Sequence, residues 1–497
     1  MKKVNSYILT LLFLFLFSLN FTSCSNDIEL EDLYDELDNV DPENIALMLD
    51  DLYSKMYSTS SGGSTRIDDF GQKGYDIYSD VLTGDMAVNY TTYGWYKSIT
   101  SFESTMDSSH ESNTIVWFYY YNIIETANTV IGELGGSNSN PADEMFRHYL
   151  GQALALRSYA YFYLSQFMSN DYNPSSEILP LYLEGSDTYI PKSATQEVFQ
   201  QIENDLNRAI ELLDNYQRPS KLNINKFVAQ SILAYTIAAQ RDQTRFNEVV
   251  LLCDEVIATS GASIMNSTEV TNGFNNVQTP GWIWGVNLTQ EMDIVYSWWT
   301  HMDYFTFGYS WAGDNKTIDQ NLYNSIPNED VRKEQFYSVV GDNYLAPLDK
   351  FYDDERLPGN DTNTLETAYV PADSDYVFIR IAELYILKAE SLAKLGQEAA
   401  ARSTLSEVLS LRLSDTSYLN SLSGSSLQDE IFLQTRIEFW GEGKTYLALK
   451  RNEENTGIRG NNHNYFIGQT FIHYDERLTF EIPQSVIESN PFINEQN

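Results

Sequence analysis

The chain is poor in cysteine, histidine and basic residues, and each shortage removes a class of function. Two cysteines among 497 residues, Cys24 and Cys253, cannot build a disulfide framework. Cys253 falls in a helical pattern and is expected to be a small core residue. The five histidines, His110, His148, His301, His463 and His473, lack metal-ligand spacing. There is no His-Glu-x-x-His and no phosphate-cradling P-loop. Asp314 to Asp319 loosely resembles a calcium loop but lacks the EF-hand alternation and glycine, so no metal or cofactor is expected. The 31 lysines and arginines face 70 acids, for a formal charge of -39. Such a surface repels phosphate backbones and excludes nucleic acid as a partner. It also disfavours strongly anionic ligands, unless a local basic patch overrides the mean. A Gly-x-Ser-x-Gly elbow is missing. A glycosidase needs two placed carboxylates, and with 70 acids no pair stands out. Enzymatic activity is therefore not expected.

Long hydrophobic runs are also missing: nothing approaches the ~20 apolar residues of a membrane span. What the chain does have is a short one. Lys2 and Lys3 precede Tyr7 to Phe17, apolar apart from Thr10, and Phe21-Thr22-Ser23-Cys24 follows. A basic start, a short apolar core and small residues describe a secretory signal. The cysteine after them resembles the bacterial lipoprotein box. Residues 1–23 are then a signal peptide, and Cys24 is the lipidation site. A diacylglycerol supplies the two chains that stable anchoring needs. The alternative is an ordinary signal with an incidental cysteine. Residues 24–41 read as an acidic tether, with Asp27, Glu29, Glu31, Asp32, Asp35, Glu36, Asp38 and Asp41. Such a run resembles the surface-export signal of Bacteroidota lipoproteins; the plainer reading is a solvated linker.

Helical periodicity dominates residues 42–497, read as a single globular domain. Tyr121, Ile124, Ala127, Ile131 and Leu134 step by three or four residues, and Gly135-Gly136 ends the run. A second helix, about 143–168, carries Phe146, Leu150, Ala153, Tyr161 and Leu164. A third begins at Ser193, with Gln196 placed as in a capping box. Its apolar stripe is Val198, Ile202, Leu206, Ala209 and Leu213. Residues 376–395 read as one helix burying Ile381, Tyr385, Ala389, Leu392 and Leu395. Gly396, Ala401, Leu405 and Val408 then have the spacing of the turn and second helix of a tetratricopeptide repeat. Val249, Cys253 and Val256 repeat it upstream. The helix pairs expected are about 114–168, 193–259 and 376–412. Two stretches differ: about 58–100 and 260–375 are irregular, rich in Asn, Gly, Asp and aromatics. Long irregular segments in a compact protein are often functional.

These pieces together resemble the RagB/SusD family of outer-membrane nutrient-uptake lipoproteins nearly end to end. Gly71-Gln72-Lys73, Asp80 and Gly84-Asp85-Met86 fit its early motif. Trp117, Tyr121, Ile124, Ala127 and Asn128 fit the first long helix. Gly151-Gln152-Ala153, Leu156-Arg157 and Tyr161-Phe162 fit the next. Glu197-Val198-Phe199 with Ile202, Asp205-Leu206 and Ala209 follow. Arg380, Ala382-Glu383 and Ala389-Glu390 resemble a late helix, in which Arg380 and Glu383 are spaced to pair on one face. Arg436-Ile437-Glu438-Phe439, Glu442-Gly443, Ile482-Pro483-Gln484, Asn490-Pro491 and Gln496-Asn497 complete the series. Thr445 and Ala448 stand where the family usually has an arginine and an aspartate, which puts a local salt bridge in doubt. The resemblance implies an all-α dominated fold, a tetratricopeptide-like scaffold packed against an irregular, loop-rich half. It further implies a lid on a SusC-like, TonB-dependent barrel in the outer membrane. Most characterised members bind glycans, while the RagB branch handles peptides.

A sugar ring offers an apolar face and a rim of hydroxyls. Aromatic rings bury the face with few rotors to freeze, and amides or carboxylates satisfy the rim. The irregular segments supply both, so the candidate ligand residues are Asn89, Tyr93, Trp95, Tyr96, Trp298, Trp299, Tyr304, Trp311 and Asp314. Trp117 and Trp440, inside helical motifs, are expected in the core. Three readings follow: an oligosaccharide binder, the same scaffold binding oligopeptides, or a helical-repeat interaction scaffold without a small ligand. Whichever holds, Cys24→Ala should leave folding intact and move the protein from the membrane to the soluble fraction, as read by fractionation of cells lacking the barrel.

Overall fold

Several helices begin at a side chain that accepts one of the first free N–H groups, as Asp143 does before Glu144 and Asn225 before Lys226. The computed structural model describes residues 41–89, 92–292, 294, 297–305, 308–341, 343–352 and 374–497. The signal segment, Cys24 and nearly all of the tether lie outside the described residues. Helices α1 (Pro42–Ser54) and α2 (Gln72–Thr83) lead to strand β1 (Met86–Val88) and the short α3 (Lys97–Thr100). Long α4 (Glu111–Glu133) and α5 (Glu144–Met168) follow, then β2 (Glu177–Pro180), β3 (Lys192–Ala194), α6 (Thr195–Leu212), α7 (Lys226–Ala239) and α8 (Phe246–Thr259). The second half holds β4 (Trp282–Val286), α9 (Trp298–Met302), β5 (Lys316–Ile318), α10 (Gln320–Ser325) and β6 (Tyr376–Arg380). Helices α11 (Ile381–Lys394), α12 (Glu398–Leu409), α13 (Ser425–Glu438), α14 (Lys444–Asn452) and α15 (Gln484–Ser489) complete it. The fold is thus all-α dominated, with three small antiparallel sheets among the described residues, β1–β5, β2–β3 and β4–β6. Among the described residues no helix is long and apolar enough to cross a membrane.

The helices pack as a running series: α4 on α5, α5 on α6, α6 on α7, and α7 on α8. Helix α8 then meets α11, far away in sequence, and α11 packs on α12 and α13. The tetratricopeptide-like spacing has a physical basis. Gly396 takes φ 72°, the left-handed turn that ends α11. Ala401, Leu405 and Val408 of α12 pack in one cluster with Ala382, Ile386, Ala389 and Leu392 of α11. Val249, Cys253 and Val256 of α8 are fully buried, as expected for that thiol.

Two local expectations are corrected. Residues 376–380 are a strand, not the first turn of a helix; all five are buried and pair with the equally apolar Trp282–Val286. A β-branched and aromatic run buried on both faces favours a strand when a partner is available. The helix start at Ser193 also differs. Ser193 lies in β3 opposite Leu179, and α6 begins at Thr195. Glu197, not Gln196, reaches back, its carboxylate accepting the Ala194 N–H at 3.1 Å.

The late motifs meet in a buried ionic cluster. The Glu438 carboxylate accepts from Arg380 at 2.7 Å, Arg412 at 2.8 and 3.0 Å, and Arg332 at 3.2 Å. Arg380 also reaches Glu442 at 2.7 and 3.0 Å, and Lys350 donates to Glu442 at 2.8 Å. The expected side-chain pairing of Arg380 with Glu383 is therefore not formed. Arg380 ends β6, so its guanidinium points to α13, while Glu383 accepts the Arg380 backbone N–H at 2.8 Å and the Tyr235 hydroxyl at 2.8 Å. The departure at Thr445 has a visible counterpart. Asp80 is fully buried; one carboxylate oxygen accepts the Gly443 N–H at 3.3 Å, and neither the other oxygen nor the Thr445 hydroxyl has a hydrogen-bond partner. Burial, with Asp85 and Asp76 nearby, pushes the Asp80 carboxyl well above the usual carboxylate range.

Burial alone would raise the Glu438 carboxyl, but the surrounding arginines hold it well below its ordinary value. Its stabilisation is present above the unfolded carboxyl pKa of ~4.3 and is lost as pH falls through the folded value. Glu438→Gln leaves three buried guanidinium groups short of their countercharge. We expect it to cost about 3–5 kcal/mol in urea unfolding at pH 7 and to shrink the acid-induced loss of stability.

Candidate ligand-binding site

The two irregular segments meet through three residue pairs. Strand β1 pairs with β5 in the register Met86↔Ile318, Ala87↔Thr317 and Val88↔Lys316. That ribbon sets residues 92–96, after β1, beside the loop before β5, residues 308–315. The Thr92 N–H donates to the Gly313 carbonyl at 3.0 Å. Gly313 has φ 117°, and a Cβ there would lie 2.3 Å from the Thr92 hydroxyl, so this approach requires glycine. The Tyr309 and Ser310 N–H groups both donate to the Thr300 carbonyl, at 2.7 and 3.1 Å, tying the second loop to α9.

Of the predicted residues, the ribbon brings Asn89, Tyr93, Trp95, Tyr96, Trp311 and Asp314 into one neighbourhood. Tyr93 is 64 % exposed, while Trp95 and Trp311 are half-buried. Trp95 meets Tyr309 edge to face, with ring centroids 6.4 Å apart. Tyr309 stacks on His301 at 5.0 Å, and His301 stacks on Phe70 at 5.0 Å, so a ladder of rings backs the surface aromatics. Asn89 is half-buried and its side-chain carbonyl has no partner. Tyr304 packs edge to face on Phe305, which in turn touches Tyr337.

Trp298 and Trp299 are corrections: both are fully buried in α9 and present no face to solvent. The Trp299 indole N–H donates to the Ser374 carbonyl at 2.7 Å. The Trp298 ring lies 4.1 Å from Phe351 between centroids and 4.2 Å from the Lys73 ammonium, which is itself 2.7 Å from Asp76. They anchor α9 in the floor of the region, and the same helix holds the second loop through the Thr300 carbonyl and the His301 ring. Tyr96 and Asp314 are also buried and sit beneath the surface, not on it. Trp117 and Trp440 are core, as their helical setting implied.

Beneath the rings lies a polar layer. His301 Nε2 is 2.9 Å from the Ile67 carbonyl, which can only accept, so Nε2 carries the proton and Nδ1, without a partner, is bare. Burial holds that imidazole well below its usual pKa, with Lys316 adding to the effect. Lys316 is fully buried; burial lowers its ammonium to about 7, against the opposing pull of Asp314 and Asp68. Burial raises the Asp314 carboxyl, opposed by Lys316 and by the Tyr93 and Gly94 amides, although no hydrogen bond of good geometry reaches either oxygen. A third segment was not foreseen. Asn464 donates to the Val88 carbonyl at 2.8 Å and Asn462 to the Ile318 carbonyl at 2.8 Å, placing the 457–468 loop against the ribbon. The Gly460-Asn461-Asn462-His463-Asn464-Tyr465 run was the available signal, an amide-rich turn ending in an aromatic. Among the described residues no cluster of ligating side chains could hold a metal ion. Two open clefts lie elsewhere, about 500 Å³ beside Ser406 and about 330 Å³ beside Phe118, and neither is lined by a predicted residue.

The division between surface and floor gives a direct check. Trp298→Ala empties a fully packed site and should cost about 3–5 kcal/mol in urea unfolding. Trp95→Ala should leave the midpoint nearly unchanged, because its ring is half in water.

Comparison with known proteins accords with this architecture. Residues 44–237 match a SusD-like family described as starch-binding and associating with the outer membrane, and residues 303–497 match the SusD family. No curated protein matches the chain. A SusD-like carbohydrate-binding protein from Bacteroides vulgatus superposes with a TM-score of 0.77 at 22% identity, over 91% of this chain and 97% of its own. A SusD superfamily protein from Bacteroides thetaiotaomicron superposes at 0.75 and 20% identity, over 92% and 100%. Surface glycan-binding protein A of Bacteroides thetaiotaomicron, solved with laminarihexaose, superposes at 0.69 and 15% identity, over 92% and 99%. At such identities the superpositions establish the fold; with the two family matches and the buried motif network, the chain belongs to the SusD/RagB family.

Proposed function

We propose that this protein is a lipid-anchored glycan-binding lipoprotein of the outer membrane that captures oligosaccharides outside the cell and passes them to a SusC-like, TonB-dependent transporter. One observation carries the reading: the β1–β5 ribbon gathers Tyr93, Trp95 and Trp311 at the surface, with Asn89 at their edge. Ring faces take the C–H side of a pyranose, and amide and carbonyl groups take its hydroxyl rim. The relative solved with laminarihexaose and the starch-binding description of the first family match support a carbohydrate ligand. The lipobox at Cys24 supports the anchor. A binder with no membrane-crossing helix among its described residues concentrates ligand but needs a channel to move it, which supports the transporter. No bond-breaking step is part of the reading.

The test uses the mature chain in mild detergent on a glycan array, beside an oligopeptide library. Oligosaccharide capture is expected, laminarihexaose included as a probe, and the Trp95→Ala variant should weaken it at least ~10-fold, as removal of a central aromatic anchor does. Peptide capture without glycan capture would overturn the ligand assignment. Copurification with a barrel protein at stoichiometric ratio is expected from native membranes, and its absence would overturn the transport assignment alone.

A further inference from the structure

We propose that Lys316 is the positioning residue of this site: its ammonium, fixed under the Tyr96 ring and on the Asp314 carbonyl, holds the turn that presents Trp95 to ligand. The inference rests on the binding surface proposed above and assigns the residue that sets its shape.

The geometry is unusual in three ways. Tyr96 has φ 61°, a left-handed conformation that a bulky residue adopts only when its surroundings impose it. Its ring is buried, and its hydroxyl has no hydrogen-bond partner, so no polar anchor at the tip fixes it. What does hold the ring is the Lys316 ammonium 4.2 Å from its centroid, with His301 at 5.6 Å and Tyr78 at 5.8 Å meeting it edge to face. A desolvated cation over an aromatic face is the strong form of that contact. Lys316 in turn donates to the Asp314 carbonyl at 2.9 Å, just before β5. Its backbone is pinned opposite Val88, the residue preceding Asn89. One side chain therefore links β5, the 308–315 loop and the 93–96 turn. Trp95 is the residue next to Tyr96, so the direction of its ring follows from that turn.

The charge on Lys316 decides how firm the hold is. The groups facing it are Asp314 from its own loop, Asp68 ahead of α2, His301 of α9, and the Tyr96 ring. Asp68 is taken up by Arg66, at 2.7 and 2.8 Å, and by the Tyr78 hydroxyl at 2.7 Å. His301 stays neutral, its pKa held low by burial. The ammonium thus has attraction from two acids but no ion pair among the described residues, and burial brings its titration to about 7. Below that value the charged group grips the ring. Above it the neutral amine keeps its hydrogen bond and loses the cation–π attraction. Because the folded value lies below the ordinary lysine value of ~10.4, the buried amine also costs stability as pH falls from there toward 7. A residue kept only for stability would not show that sign.

The test is fluorine NMR of the mature chain labelled with 5-fluorotryptophan, without ligand, from pH 6 to 8.5. Trp95→Phe identifies the Trp95 resonance, and the resonances of buried Trp282, Trp284, Trp298, Trp299 and Trp440 report that the fold is intact. In wild type the Trp95 resonance should move with a midpoint near 7. Lys316→Met should hold it at the high-pH position throughout, with melting temperature unchanged or raised, and Lys316→Arg should hold it at the low-pH position. Lys350 and Lys450 also titrate at about 8 and 7 elsewhere in the core, so persistence of the Trp95 shift in Lys316→Met would assign it to them and overturn the inference. A Trp95 resonance indifferent to both pH and Lys316→Met would overturn it too. Should Lys316→Met fail to fold, Lys316→Arg and the wild-type titration decide. Calorimetry with laminarihexaose at pH 6 and 8.5 adds the functional arm: affinity should fall about 2- to 30-fold with rising pH, the span a cation–π contact carries, and stay level in Lys316→Arg. Failure of wild type to bind any array glycan defeats the proposed function, while the ligand-free spectra still decide the role of Lys316.

Discussion

The Glu438 carboxylate is the point on which the two halves of this molecule depend. Arg380 reaches it from the end of β6, Arg412 from beyond α12, and Arg332 from the loop-rich region. Their guanidinium groups are fixed forks that satisfy both oxygens of a buried acid at once. Burying such a cluster gains little net stability over an apolar core, but a partner missing or out of place leaves a bare charge in the interior. The cluster therefore acts as a test of register. Helix α13, strand β6 and the segment around Arg332 are accepted only in the arrangement that matches charges, and the irregular half is locked to the helical scaffold as a result.

That lock lets the binding surface be built from very little regular structure. Strands β1 and β5 have three residues each, too few to be stable alone. They persist because Asp85, just before β1, is held by Arg436 of α13 at 2.6 Å, and its carbonyl accepts the Trp440 indole N–H at 2.8 Å. The loops that follow can then carry rings and amides free of structural duty, the usual division between scaffold and function. Trp298 and Trp299 take the structural share, and Trp95 and Tyr93 the exposed one.

The helical half was legible from spacing because buried helices repeat their apolar residues for several turns: α4, α5 and α12 lie where the pattern put them, and α6 and α11 differ at their first residues. Strand β6 was not, since five apolar residues before a helix carry no period that tells strand from first turn, and the deciding partner, Trp282–Val286, is far away in sequence. Arg380 and Glu383 had the spacing of a helix pair, but the chain enters the helix between them. At the site, sequence indicated the right segments and only some of the right side chains. Whether a tryptophan in an irregular stretch faces water depends on what packs beneath it: Phe351 and Lys73 for Trp298, the Ser374 carbonyl for Trp299. None of those neighbours is near in sequence. Lys316 and Tyr309 were invisible for the same reason, since a lone lysine in an acid-rich chain looks like a solvated one.

Asp80 adds a consequence at the level of the whole chain. Its carboxyl is buried without a cation, so folding takes up a proton there, whereas at Glu438 folding favours giving one up. The two groups tilt stability in opposite directions. Asp80 contributes less as pH climbs above the unfolded carboxyl value of ~4, and Glu438 contributes less as pH drops below it. Their windows meet near that value. Taken as a pair, these two interior acids place their joint optimum in mild acid, on the acid side of neutrality, in a molecule whose formal charge at pH 7 is -39.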